Sequence, residues 1–94
     1  MNASSKALRK FVVASYRAGI RKWLSDNNAT QEYLASIAGC DRQYVAYSVS
    51  NGSFTRGPTL ASAVSIALAT GMSLDELCGL DMIRERMNDE QGAR

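Results

Sequence analysis

Apolar residues recur along this chain mostly at three- and four-residue intervals, the spacing that lines them up on one face of an α-helix. Five helices follow from that pattern. The first is expected from Lys6 to Asp26, capped by Ser4 or Ser5. Its stripe is Leu8, Phe11, Val12, Tyr16, Ile20, Trp23 and Leu24, and Lys10, Arg17, Arg21 and Lys22 take the remaining surface. Gly19 inside the stripe allows a kink or a break near Ser15 to Gly19, and Asn27-Asn28 ends the helix. A short second helix starts after Thr30, packs through Leu34, Ala35, Ile37 and Ala38, and stops at Gly39. With Tyr33 at its third position it has a plain threonine cap and no capping box.

Asp41 is the expected cap of a third helix, from Arg42 to about Val49, which Asn51-Gly52 closes. Ser53 to Pro58 reads as a polar loop with one basic residue, Arg56. The fourth helix is expected to begin at Thr59, with Leu60, Ala63, Val64, Ala67 and Leu68 on one stripe, Ile66 widening it and Gly71 terminating it. Ser73 with Glu76 three residues on predicts a capping box for the fifth helix, whose Leu74, Leu77, Cys78 and Leu80 point inward. After Leu80 only Met82, Ile83 and Met87 are apolar, so 81–94 is expected to be a short fraying helix or, from Asp89, a disordered tail.

Composition narrows the class. Ninety-four residues suffice for one core and not for two, and a chain this size buries only about 60–65% of its unfolded surface. The hydrophobic content of 46% is that of a globular protein. The net charge of +2 says little, but its distribution says more. Residues 1–60 carry eight Lys/Arg against three Asp/Glu, and residues 61–94 carry three against six. A basic first part suits a face that meets an anion; ordinary scatter of surface charge is the plain alternative.

Cys40 and Cys78 sit in apolar settings and there is no histidine, so no Cys/His zinc site, metal or other cofactor is expected. They read as small buried hydrophobes in a reducing cytoplasm. The polar Met1–Lys10 segment gives no secretory signal, and Leu60–Met72 is too short an apolar stretch to span a bilayer. A cytoplasmic location is therefore expected. No nucleophile has a nearby base in sequence and no glycine-rich phosphate loop occurs, so an enzyme is not expected.

The informative segment runs from Thr30 to Ser50. Two short helices are joined there by a turn of about three residues containing Gly39, with Ala35 small where the third helix crosses it. Leu34, Ala38, Cys40 and Val45 fill the space beneath, which leaves the opposite side of the third helix unpacked. A merely solvated helix start is the plain reading of Arg42 and Gln43, and packing is the favoured role of Tyr44.

Thr-Gln-Glu-x-Leu-Ala-x-x-Ala-Gly at 30–39, then Val45, Pro58-Thr-Leu and Met72-Ser-Leu-Asp-Glu-Leu, occur in order. In this the chain resembles the helix-turn-helix of the lambda-repressor and Cro family, the XRE family, over roughly Ile20 to Leu80. The resemblance implies an all-α, five-helix lambda-repressor-like domain at 20–80, with residues 1–19 as a helical extension of the first helix and 81–94 as a tail. It implies a third helix in the major groove of double-stranded DNA, with Arg42, Gln43, Ala46 and Tyr47 contacting bases. Their chemistry agrees: Arg42 can donate two hydrogen bonds to guanine O6 and N7, Gln43 can pair with adenine N6 and N7, Ala46 can meet a thymine methyl, and Tyr47 can reach a phosphate or a base. Gln31, at the start of the second helix, would contact the DNA backbone. Ser53, Thr55 and Arg56 are further backbone candidates from the loop, and Arg21 and Lys22 weaker ones.

Two departures stand out. The family's apolar position three after Val45 is Ser48 here, with Val49 following, and Asn51-Gly52 falls one residue late. A third helix longer by one residue or overwound, with Tyr47 and Ser50 rotated, is one consequence. The extension before Ile20 is the second departure, and it would pack on the domain or build a dimer. A dimeric transcriptional regulator, of phage or bacterial repressor type, is the leading expectation, since one module contacts about half a site. The competing one is a protein-interaction module, an antitoxin or adaptor, acting through Leu8, Phe11 and Trp23.

Overall fold

The computed structural model describes residues 5–50 and 57–92. Among these the chain is all-helical: α1 (Ser5–Asp26), α2 (Gln31–Ala38), α3 (Arg42–Val49), α4 (Leu60–Thr70), α5 (Leu74–Cys78) and α6 (Leu80–Gly92). A sixth helix joins the expected five: of the two alternatives for the segment after Leu80 the helix is the one observed, and it runs through Gly92, past Asp89 where disorder was expected, with Asp75 of α5 holding Arg84 of α6 at 3.1 Å. No helix among the described residues is long and apolar enough to cross a membrane.

The helix ends have local causes. Asn28 takes a left-handed conformation (φ +49) and releases the chain from α1. Thr30 Oγ1 accepts from the Tyr33 N–H at 3.0 Å, and Gly39 (φ +70) closes α2 by donating to the carbonyls of Ala35 and Ser36. Asp41 stands at the N-cap position of α3, yet its side chain makes no capping bond. Thr59 caps α4 rather than opening it, accepting from the Ser62 N–H at 3.1 Å. Both halves of the Ser73–Glu76 capping box form, at 3.0 and 3.3 Å.

α1 passes through Gly19 without a break. The glycine serves close approach instead: a Cβ there would lie 3.0 Å from Met72 Cε and 3.2 Å from Leu77 Cδ1. Residue 19 thus falls mid-helix, and Val13 and Tyr16 before it share one core with Ile20.

That core is built from Tyr16, Ile20, Leu34, Val45, Ile66 and Leu77, all fully buried, with small residues Ala35, Ala63 and Ala67 where helices come closest. α1 packs on α3 and α5, α2 on α3 and α4, and α5 on α4 and α6. Trp23 packs partly buried against this core, and Phe11 lies over Gly79. Two expectations about packing faces are corrected. Ile37 is exposed. On α4, Ala63, Ile66 and Ala67 point inward, which turns the row Leu60, Val64, Leu68 about 100° away and into solvent.

Candidate nucleic-acid interface

Each of the first three helices contributes to one surface. α2 and α3 are joined by Gly39, Cys40 and Asp41, and the Cys40 N–H returns to the Ala35 carbonyl at 3.0 Å, holding the corner tight. α3 then buries Val45, Ser48 and Val49 against the domain. Two polar contacts to α1 fix its rotation, and a third, within the helix, satisfies a buried hydroxyl. The Tyr16 and Tyr44 hydroxyls meet at 2.9 Å. Ser48 Oγ donates to the Tyr44 carbonyl at 2.8 Å, so a serine fills an apolar position with its hydroxyl satisfied one turn back. The Arg21 guanidinium donates to the Val49 carbonyl, at the helix end where carbonyls lack partners and a cation is favoured.

The serine departure therefore leaves the length of α3 as expected, ending at Val49, with the Ser50 N–H bonded to the Tyr47 carbonyl at 3.3 Å. Asn51-Gly52 lies outside the described residues. Tyr44 packs, as its aromatic character led one to expect: it is half-buried, and its hydroxyl faces α1.

The other side of α3 carries the base-reading candidates together. Arg42 is exposed, with 72% of its side chain open to solvent. Gln43 and Tyr47 are exposed and Ala46 is half-buried. Asp41, Gln43, Tyr44, Ala46 and Tyr47 line an open recess of about 610 Å³. Arg42 Nη1 stands 3.9 Å from Glu32 Oε2, which shows that the first turn of α2 lies beside the start of α3. Gln31, half-buried, is the neighbouring residue of that turn. Ser53, Thr55 and Arg56 lie outside the described residues, so the four base-side candidates are placed and, of the main backbone candidates, Gln31.

The local charge is mixed rather than uniformly positive, because Glu32 and Asp41 flank Arg42. The two weaker backbone candidates are engaged within the chain. Arg21 holds Val49, and Lys22 pairs with Asp26 at 2.6 Å, which raises the lysine pKa through that hydrogen bond. Arg17, expected on the surface, is half-buried, and its Nε is shielded without a hydrogen-bond partner among the described residues.

Beneath the surface, burial first and the Tyr44 bond second push the Tyr16 phenol well above its ordinary range. Burial, with Asp41 and Asp75 respectively, raises the Cys40 and Cys78 thiols, which are both unpaired.

Three roles escaped the sequence reading of the site, those of Tyr16, Arg21 and Glu32. Tyr16 carried a usable signal, since a tyrosine in a buried stripe needs a partner for its hydroxyl. The helix-end role of Arg21 and the pairing of Glu32 with Arg42 depend on how helices cross, which no local spacing encodes. No protein-family model, curated protein or solved structure matches this chain.

Proposed function

We propose that this chain is a sequence-specific, double-stranded-DNA-binding transcriptional regulator of the lambda-repressor-like helix-turn-helix type, acting as a pair of copies with α3 in the major groove. One observation carries the reading. α3 is clamped on one side by buried Val45, Ser48 and Val49, while Arg42, Gln43 and Tyr47 stay exposed on the other, with Ala46 between them. A short helix whose polar start is held rigidly away from the core suits entry into a groove about 12 Å wide.

In this reading Arg42 donates to guanine, Gln43 pairs with adenine, Ala46 meets a thymine methyl, and Tyr47 reaches a base or phosphate. Gln31 contacts the backbone from the first turn of α2, and Ser53, Thr55 and Arg56 add phosphate contacts from the segment that follows α3 in the sequence.

Selection from random duplex DNA tests the proposal. A defined motif should be enriched by the wild-type chain and lost when Arg42 and Gln43 are both replaced by alanine. Equal recovery of all sequences, or a motif unchanged in the double variant, would overturn it.

A further inference from the structure

We propose that the outward face of α4, with the hollows beside it, is the surface through which two copies of this chain associate. Every exposed position of α4 is apolar: Leu60, Ala61, Val64 and Leu68. Leu60 and Leu68 are 75% and 80% exposed and Val64 37%, forming a ridge about 12 Å long at i, i+4 and i+8. A surface helix of a lone domain turns polar residues to water. This one keeps its polar residues Ser62, Ser65 and Thr70 half-buried and turns only apolar ones fully outward, and residues 57–74 contain no charged residue at all. An exposed apolar row of this kind marks an interaction surface.

Shape and charge favour a second copy as the occupant. The ridge borders two hollows. One, of about 580 Å³, has Leu60 on its rim and Leu8, Val12, Pro58 and Leu74 among its walls. The other, of about 390 Å³, is lined by Val64, Leu68, Met72 and Leu74. A ridge beside its own hollows is self-complementary, because a two-fold rotation brings the ridge of each copy over the hollows of the other. The charged residues at the larger hollow are one of each sign, Arg9 and Asp75, so an identical face meets no single-sign repulsion. A face without net charge also offers no electrostatic preference for an unlike partner.

The surface uses none of the base-reading candidates, and the assignment deepens the paired-copy part of the proposed function, on which alone it rests. Sedimentation equilibrium of the full chain without DNA tests it. The wild type should dimerise in a concentration-dependent way. Leu60→Glu and Leu68→Glu should each weaken the dimer roughly a hundredfold while the helical circular dichroism is kept. Ile37→Glu, at an exposed apolar residue on α2, should leave it unchanged.

If glutamate disturbs α4, the glutamine variants at 60 and 68 serve the same purpose. A wild type that stays monomeric at every accessible concentration overturns the proposal. So does a dimer that survives both α4 changes, or one weakened equally by Ile37→Glu. None of these three failures bears on base reading by Arg42 and Gln43, which the DNA selection tests separately.

Discussion

The Tyr16 hydroxyl on α1 and the Tyr44 hydroxyl on α3 meet at 2.9 Å across the seam that joins the longest helix to the candidate recognition helix. Burial and this bond together keep Tyr16 protonated in the folded chain, above the ordinary phenol value of 10.0. The unfolded chain therefore loses this proton first as pH rises past about 10. The contribution is complete below that pH and declines above it, because the unfolded state then binds fewer protons. Tyr16→Phe should cost about 1 kcal/mol near pH 8 by loss of the hydrogen bond. It should also flatten the fall in stability between about pH 9.5 and 11. Urea unfolding at both ends of that range measures this, and an equally steep alkaline fall in the variant would remove Tyr16 from the explanation.

Two glycines with nearly the same backbone conformation should respond differently to alanine. Gly39 (φ +70) has nothing within 4 Å of an added Cβ, so Gly39→Ala meets only the left-handed strain of about 1–2 kcal/mol. Gly79 (φ +75) is buried, and its Cβ would fall 2.7 Å from Phe11 Cε1 and 2.8 Å from Ser15 Oγ. Overpacking adds about 1–3 kcal/mol to the same strain there. Gly79→Ala should therefore melt clearly below Gly39→Ala. Coincident melting curves would mean that α1 yields to α5 without cost.

The helices and their caps were legible because each is written locally: Thr30, Ser73 and the apolar spacing act within a few residues. What escaped was set by how helices meet. Spacing put Leu60, Val64 and Leu68 in the stripe of α4, but the burial of Ile66 between two alanines rotated that row outward. Gly19 suggested a kink or a break because helix propensity is a local quantity, whereas the close approach of Met72 and Leu77 is a tertiary one. In the candidate site, the exposure of Arg42 and Gln43 followed from the motif. Their neighbour Glu32, ten residues before Arg42, reaches the same surface only through the crossing of α2 and α3.

Glu32 should restrain DNA binding rather than stabilise the fold. Its contact with Arg42 is long, at 3.9 Å, and both side chains are more than two-thirds exposed, so the pair adds little stability. For Arg42 to read a base it must leave this carboxylate, which itself would face phosphates. Glu32→Gln should leave the melting temperature almost unchanged and raise DNA affinity by up to about tenfold, most at low salt. Titration of a selected duplex at two salt concentrations decides the matter: weaker binding by the variant would make Glu32 a positioning partner of Arg42 instead.

Gln43 offers the sharpest separation between reading a sequence and merely touching DNA. Its exposure at the first turn of α3, beside the recess shared with Ala46 and Tyr47, suits a paired hydrogen bond to one adenine. Gln43→Ala should then cost about 1–3 kcal/mol on the preferred duplex and much less on one altered at that base pair, relaxing preference at one or two positions. A phosphate contact behaves otherwise, since its loss weakens every sequence alike. Competition binding of wild type and variant against a panel of single-base-pair substitutions distinguishes the two. Uniform weakening across the panel would move Gln43 from the bases to the backbone and leave Arg42 as the remaining candidate for direct reading.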